Sequence, residues 1–80
     1  MKTFYLTIST VSHTFYDGES ASATFPGEDG EFTILAHHEP FVSTLRSGVI
    51  KVRQPSGDTK EFKTKNGVLE CANNRVTVLL

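Results

Sequence analysis

Eighty residues carrying a net charge of −1 leave room for one domain, residues 1–80, and no second. A chain this short buries roughly 60% of the surface it exposes when unfolded, which excludes a deep pocket beside a full core. The near-zero net charge and ordinary apolar fraction exclude a disordered tail, and no basic excess points to nucleic acid or an anionic membrane surface.

In chain order, the first element is a strand. Phe4, Leu6 and Ile8 alternate with Tyr5, Thr7 and Ser9, the period of two that a half-buried strand needs. Met1 to Ile8 hold one basic residue and no long apolar run. Neither a signal peptide nor a membrane span is expected there, and no direct membrane insertion. Turn residues then punctuate the chain at Asp17-Gly18, Pro26-Gly27, Asp29-Gly30, Ser47-Gly48, Pro55-Ser56-Gly57-Asp58, Asn66-Gly67 and Asn73-Asn74. Asx-Gly pairs suit tight hairpins, because both central residues accept positive φ. Between His37 and Leu45 a single loose turn is expected before Pro40. From Gly48 onward Ile50 and Val52, Phe62, then Val76 and Val78 alternate with polar residues. This half predicts three or four antiparallel strands in a meander, ending in a strand at Leu80. The spacing of turns points to an all-β sandwich or barrel.

Few residues suggest chemistry. His37 and His38 are neighbours, so in an extended segment they face opposite ways and cannot easily share a metal. His13 is distant and Cys71 is the only cysteine. No metal-ligand spacing results, no internal disulfide is possible, and Cys71 reads as a small core residue. Ser12, His13 and Asp17 have the residue types of a catalytic triad, but triads are recognised by geometry, and strand-edge and turn roles fit them better. Gly27-Glu28-Asp29-Gly30 is acidic and repels phosphate. No cofactor is expected.

One stretch is sharper. Residues 26–32 read Pro-Gly-Glu-Asp-Gly-Glu-Phe, followed by His38-Glu39-Pro40 and a run to Leu45 and Gly48. Upstream lies Phe15-Tyr16-Asp17-Gly18; downstream lie Gly67-Val68-Leu69-Glu70 and Asn74-Arg75-Val76-Thr77-Val78-Leu79. In order and spacing the chain resembles the epsilon subunit of bacterial and chloroplast ATP synthases. It departs at Ala36-His37-His38, where that family commonly has Pro-Gly-His. The helical hairpin that usually follows is not among these 80 residues.

The resemblance implies a flattened antiparallel β-sandwich of about ten short strands in two sheets. It implies a non-catalytic rotor component of the central stalk, coupling the gamma subunit to the membrane c-ring. Its place would be peripheral, on the cytoplasmic face of the bacterial inner membrane. Carried over by position, Glu31 and His38 are expected to face the c-ring. Thr10, Phe41, Val42 and Ser43 are expected to border gamma, with Val11 and Phe15 extending an apolar patch. Without the hairpin, inhibition of ATP hydrolysis is not expected of these 80 residues. The alternative is a stand-alone small β-sandwich module binding a peptide or carbohydrate.

Overall fold

The computed structural model describes residues 2–80. Nine strands account for about two thirds of them: β1 Phe4–Ser9, β2 Thr14–Ser20, β3 Ser22–Gly27, β4 Gly30–Leu35, β5 Phe41–Leu45, β6 Gly48–Arg53, β7 Thr59–Thr64, β8 Gly67–Ala72 and β9 Arg75–Leu79. Among the described residues there is no helix. The all-β sandwich is as expected, with nine strands where about ten were expected.

The strands form one hydrogen-bonded path, β2-β1-β9-β8-β5-β3-β6-β7, with β4 paired to the other edge of β3. The path folds over at a single bridge between Gly27 of β3 and Leu45 of β5. It therefore divides into a five-stranded half, β2-β1-β9-β8-β5, and a four-stranded half, β4-β3-β6-β7. The two expected sheets thus hydrogen-bond as one sheet, folded over on itself with its end strands unpaired to each other. Gly27 is where the backbones meet. A Cβ there would lie 2.6 Å from the Gly30 carbonyl oxygen and 2.7 Å from a Phe32 ring carbon.

The core lies between the halves. Phe4, Leu6, Ile8, Leu69, Cys71, Val76 and Val78 come from one side; Ala23, Phe25, Ile34, Ile50 and Val52 come from the other. These are the alternating positions of the sequence, now facing inward. Phe32, Phe41 and Phe62 close the margins. Ser20 is fully buried at the corner between β2 and β3, where its hydroxyl lies 2.8 Å from the Ser22 carbonyl and 3.2 Å from that of Arg53.

Several local expectations are corrected. Asp17-Gly18 makes no turn: it lies inside β2, opposite Thr7 and Leu6, and the Thr7 hydroxyl donates to the Asp17 carboxylate at 3.3 Å. The second half is not a continuous meander. β6 pairs β7 and β8 pairs β9, but β8 leaves β7 at Asn66-Gly67 and pairs β5 in the other half. The Thr64 hydroxyl, donating to the Asn66 carbonyl at 2.7 Å, holds that bend. One pair, β1 with β9, is parallel rather than antiparallel. The segment after Ala36 makes one tight turn at His37, with φ of 63°, and Phe41 onward is strand. Asn73-Asn74 is the expected hairpin, with φ of 53° and 60°. The Asn74 side chain ties it down, donating to the Thr3 carbonyl and accepting from the His37 N–H.

Candidate functional site

Strand register lays out the outward side chains of the five-stranded half in rows. One row reads Val42, Glu70, Thr77, Thr7, Asp17; the next reads Thr44, Val68, Leu79, Ser9. Val68 faces Leu79 directly, and Val42 is diagonal to Val68, close enough for side chains to touch. Val42, Val68 and Leu79 are 68%, 48% and 49% exposed. They line a shallow depression with Glu70 and Thr77. Further along this face the Arg75 guanidinium sits 5.0 Å from the centre of the Tyr5 ring. The nearby Asp17 carboxylate holds the Tyr5 phenol's pKa above its ordinary value.

The outward face of the four-stranded half is different. Lys51 and Arg53 of β6 and Lys63 of β7 dominate it, with Glu61 opposite Lys51. Six of the eight Lys and Arg residues fall between residues 46 and 65, so the fold separates the charge that the sequence balances.

The expected contact residues scatter over these surfaces. Glu31 stands at the hairpin end of β4, opposite Pro26 and next to the exposed Glu28-Asp29 turn. His38 lies beyond the other end of β4, and the strand from Glu31 to Leu35 alone spans about 13 Å at ~3.3 Å per residue. Its ring packs 4.9 Å from that of Phe41, with Nδ1 2.7 Å from the Glu39 carbonyl. Glu31 and His38 therefore do not share a loop. Thr10 sits at the Glu31 end of the sandwich, its N–H bonded to the His13 carbonyl. Phe41 and Ser43 are half-buried, and Phe41 stacks edge-on against Phe32 at 5.4 Å. Of the β5 residues expected to border gamma, only Val42 presents its side chain outward. Val11 is 96% exposed at the β1–β2 turn; Phe15 stacks with His13 at 4.8 Å.

Sequence reasoning missed Val68, Leu79, Glu70 and Thr77. A signal was present. Where two apolar residues follow each other in a half-buried strand, one must face outward. Phe41-Val42, Val68-Leu69 and Val78-Leu79 are such pairs.

No constellation for catalysis forms from the residues considered. Asp17 accepts from the Thr7 hydroxyl, Ser12 donates its N–H to the Thr10 hydroxyl, and His13 stacks on Phe15. Among the described residues, no three His, Cys, Asp or Glu side chains cluster as metal ligands. Cys71 is buried, and burial pushes its thiol pKa up.

Comparison with known proteins agrees with this arrangement. The "ATP synthase, Delta/Epsilon chain, beta-sandwich domain" family matches residues 3–80. Two curated ATP synthase epsilon chains, from Nitratiruptor sp. and Sulfurimonas denitrificans, are each 35% identical over the whole chain. A third, from Bordetella petrii, is 33% identical over 99% of it. The chain spans 62%, 62% and 56% of the length of these three relatives. Among solved structures, a chain of the Euglena gracilis mitochondrial ATP synthase superposes with a TM-score of 0.91 at 21% identity. That match covers 99% of this chain and 51% of the other. A chain of the Tetrahymena thermophila central stalk and c-ring gives 0.77 at 16% identity, covering 94% of this chain and 60% of the other. These two likenesses concern the fold. The family match over residues 3–80, supported by relatives aligned over the whole of this chain, identifies the chain as a member of the ATP synthase delta/epsilon-chain β-sandwich family.

Proposed function

We propose that this chain serves as the β-sandwich of an ATP synthase epsilon chain, a non-catalytic rotor-stalk component that couples the gamma subunit to the membrane c-ring. One observation carries the reading: a contiguous apolar patch, Val42, Val68 and Leu79, on the outward face of the five-stranded half. A stable interface buries roughly 1,200–2,000 Å² and needs an apolar centre with a polar rim. Glu70, Thr77 and Thr44 supply that rim. Gamma docks here, with Phe41 and Ser43 supporting β5 from beneath and Thr10 at the margin.

The acidic end formed by Glu28, Asp29 and Glu31 turns toward the ring, with His38 at the far end of β4 as a second contact. The protein works peripherally, at the cytoplasmic membrane face that carries the enzyme. No feature of the fold favours a free-standing peptide or carbohydrate module.

Pull-down with recombinant gamma tests the proposal. Gamma is expected to be retained by the wild-type chain and lost, by ten-fold or more, on Val68→Asp. Absence of binding by the wild-type chain would overturn the reading.

A further inference from the structure

Three strands end the sheet with an open edge: β2, β7 and β4. Open edges template pairing with other chains, and proteins blunt them with charge, bulges or cover. β7 carries Lys60, Glu61 and Lys63, all exposed. β2 carries Asp17 and Glu19, and its pairing with β1 is broken by an irregularity at Ile8/Ser9. β4 has none of these devices. Its single charge is Glu31, and Phe32-Thr33-Ile34-Leu35 is uncharged and rich in strand-favouring residues. Leu35 is 59% exposed. Among the described residues, no other strand lies beside it on the side away from β3.

The register says which backbone groups are left open. Thr24 and Thr33 face each other with hydroxyls 2.8 Å apart. That close side-chain approach marks a non-hydrogen-bonded pair, in which both backbones point their N–H and C=O away from each other. Thr33 therefore offers its N–H and C=O to the open edge, and by the period of two so do Glu31 and Leu35.

We infer that the open edge of β4 receives an extended segment of a partner polypeptide as an additional strand. Backbone donors and acceptors at strand spacing are complemented by another extended backbone. The segment would carry a cation near Glu31 and an apolar side chain against Leu35. The strand lies between Glu31 and His38, so the inference rests on the stalk reading for its setting, though its hydrogen-bond chemistry does not.

Hydrogen exchange by mass spectrometry tests it, on the chain alone and on the chain bound to ATP synthase membranes depleted of their own epsilon chain. Bound, the amides of Glu31, Thr33 and Leu35 are expected to exchange at least ten-fold more slowly, with the β2 and β7 edges unchanged. Thr33→Pro removes one outward N–H without touching the β3 ladder and is expected to weaken membrane binding at least five-fold. If circular dichroism shows that variant unfolded, Leu35→Lys takes its place, with the same loss expected. Unchanged exchange over 31–35 in a chain that has bound would overturn the inference and leave the stalk reading standing. Failure of the wild-type chain to bind would overturn the stalk reading, and with it the setting of this edge. Protection over 31–35 that grows with concentration of the chain alone would point to a second copy as occupant, and also overturn it.

Discussion

Both halves of the sheet bury an apolar strip, but they differ on their outward faces. The five-stranded half leaves Val42, Val68 and Leu79 in solvent, bordered by Glu70 and Thr77. The four-stranded half covers its outside with Thr24, Lys51, Arg53 and Lys63. Both faces obey the same alternation, so secondary structure alone does not account for the difference. A small domain with a limited core gains nothing in the free state from exposing three aliphatic side chains together. Their clustering on one face makes sense if that face is covered in the working assembly.

The comparison can be sharpened by first removing what the halves share. Phe25 is fully buried between them, and Phe25→Ala should cost about 3–5 kcal/mol. That is a large part of the 5–15 kcal/mol typical of a whole domain. Urea unfolding measures it, and a loss under about 1 kcal/mol would show that the core is not a single unit.

Gly27→Ala acts at the one bridge joining the halves. Its Cβ meets the Gly30 carbonyl oxygen, a backbone atom that cannot swing aside, and overpacking of this kind costs about 1–3 kcal/mol. Gly18→Ala is the control. A Cβ there meets nothing within 4 Å, and the melting temperature should hold or rise slightly.

Smaller effects separate the faces. Val42→Asp should leave the melting temperature within a few degrees and still weaken gamma binding ten-fold or more, about 1.4 kcal/mol. A thermal melt reads the first and isothermal titration the second, and intact binding would move the gamma contact off this face. Smallest is Glu31→Lys, an exposed rim charge. Its effect on ring coupling should be about 0.2–1 kcal/mol, visible in proton-pumping assays at low salt and fading as salt rises. Normal coupling at low salt would contradict the placement of Glu31.

Much of this fold was legible in the sequence. The alternation of Phe4-Leu6-Ile8, Ile50-Val52 and Val76-Val78 is reproduced residue for residue as inward-facing side chains. What failed was local turn logic without register. Asp17-Gly18 has turn chemistry, but pairing along the whole of β1 holds it straight. Asn66-Gly67 has hairpin chemistry, but the chain there crosses between halves. The interaction surfaces were less legible still. Glu31 and His38 are seven positions apart, and only the extended path of β4 shows that they mark its two ends. Val68 and Leu79 are eleven apart and meet only because β8 and β9 pair. Position along a chain does not reveal which outward residues become neighbours; pairing does.

On the proposed function, the apolar face and not the basic one meets gamma. One measurement puts both faces on the same scale: the affinity of recombinant gamma for Val68→Asp and for Lys51→Glu, each checked for an unchanged melting curve. Loss of ten-fold or more for Val68→Asp, with Lys51→Glu within two-fold of wild type, is the predicted result. Full binding by Val68→Asp together with a ten-fold loss for Lys51→Glu would place gamma on the four-stranded half and contradict the account.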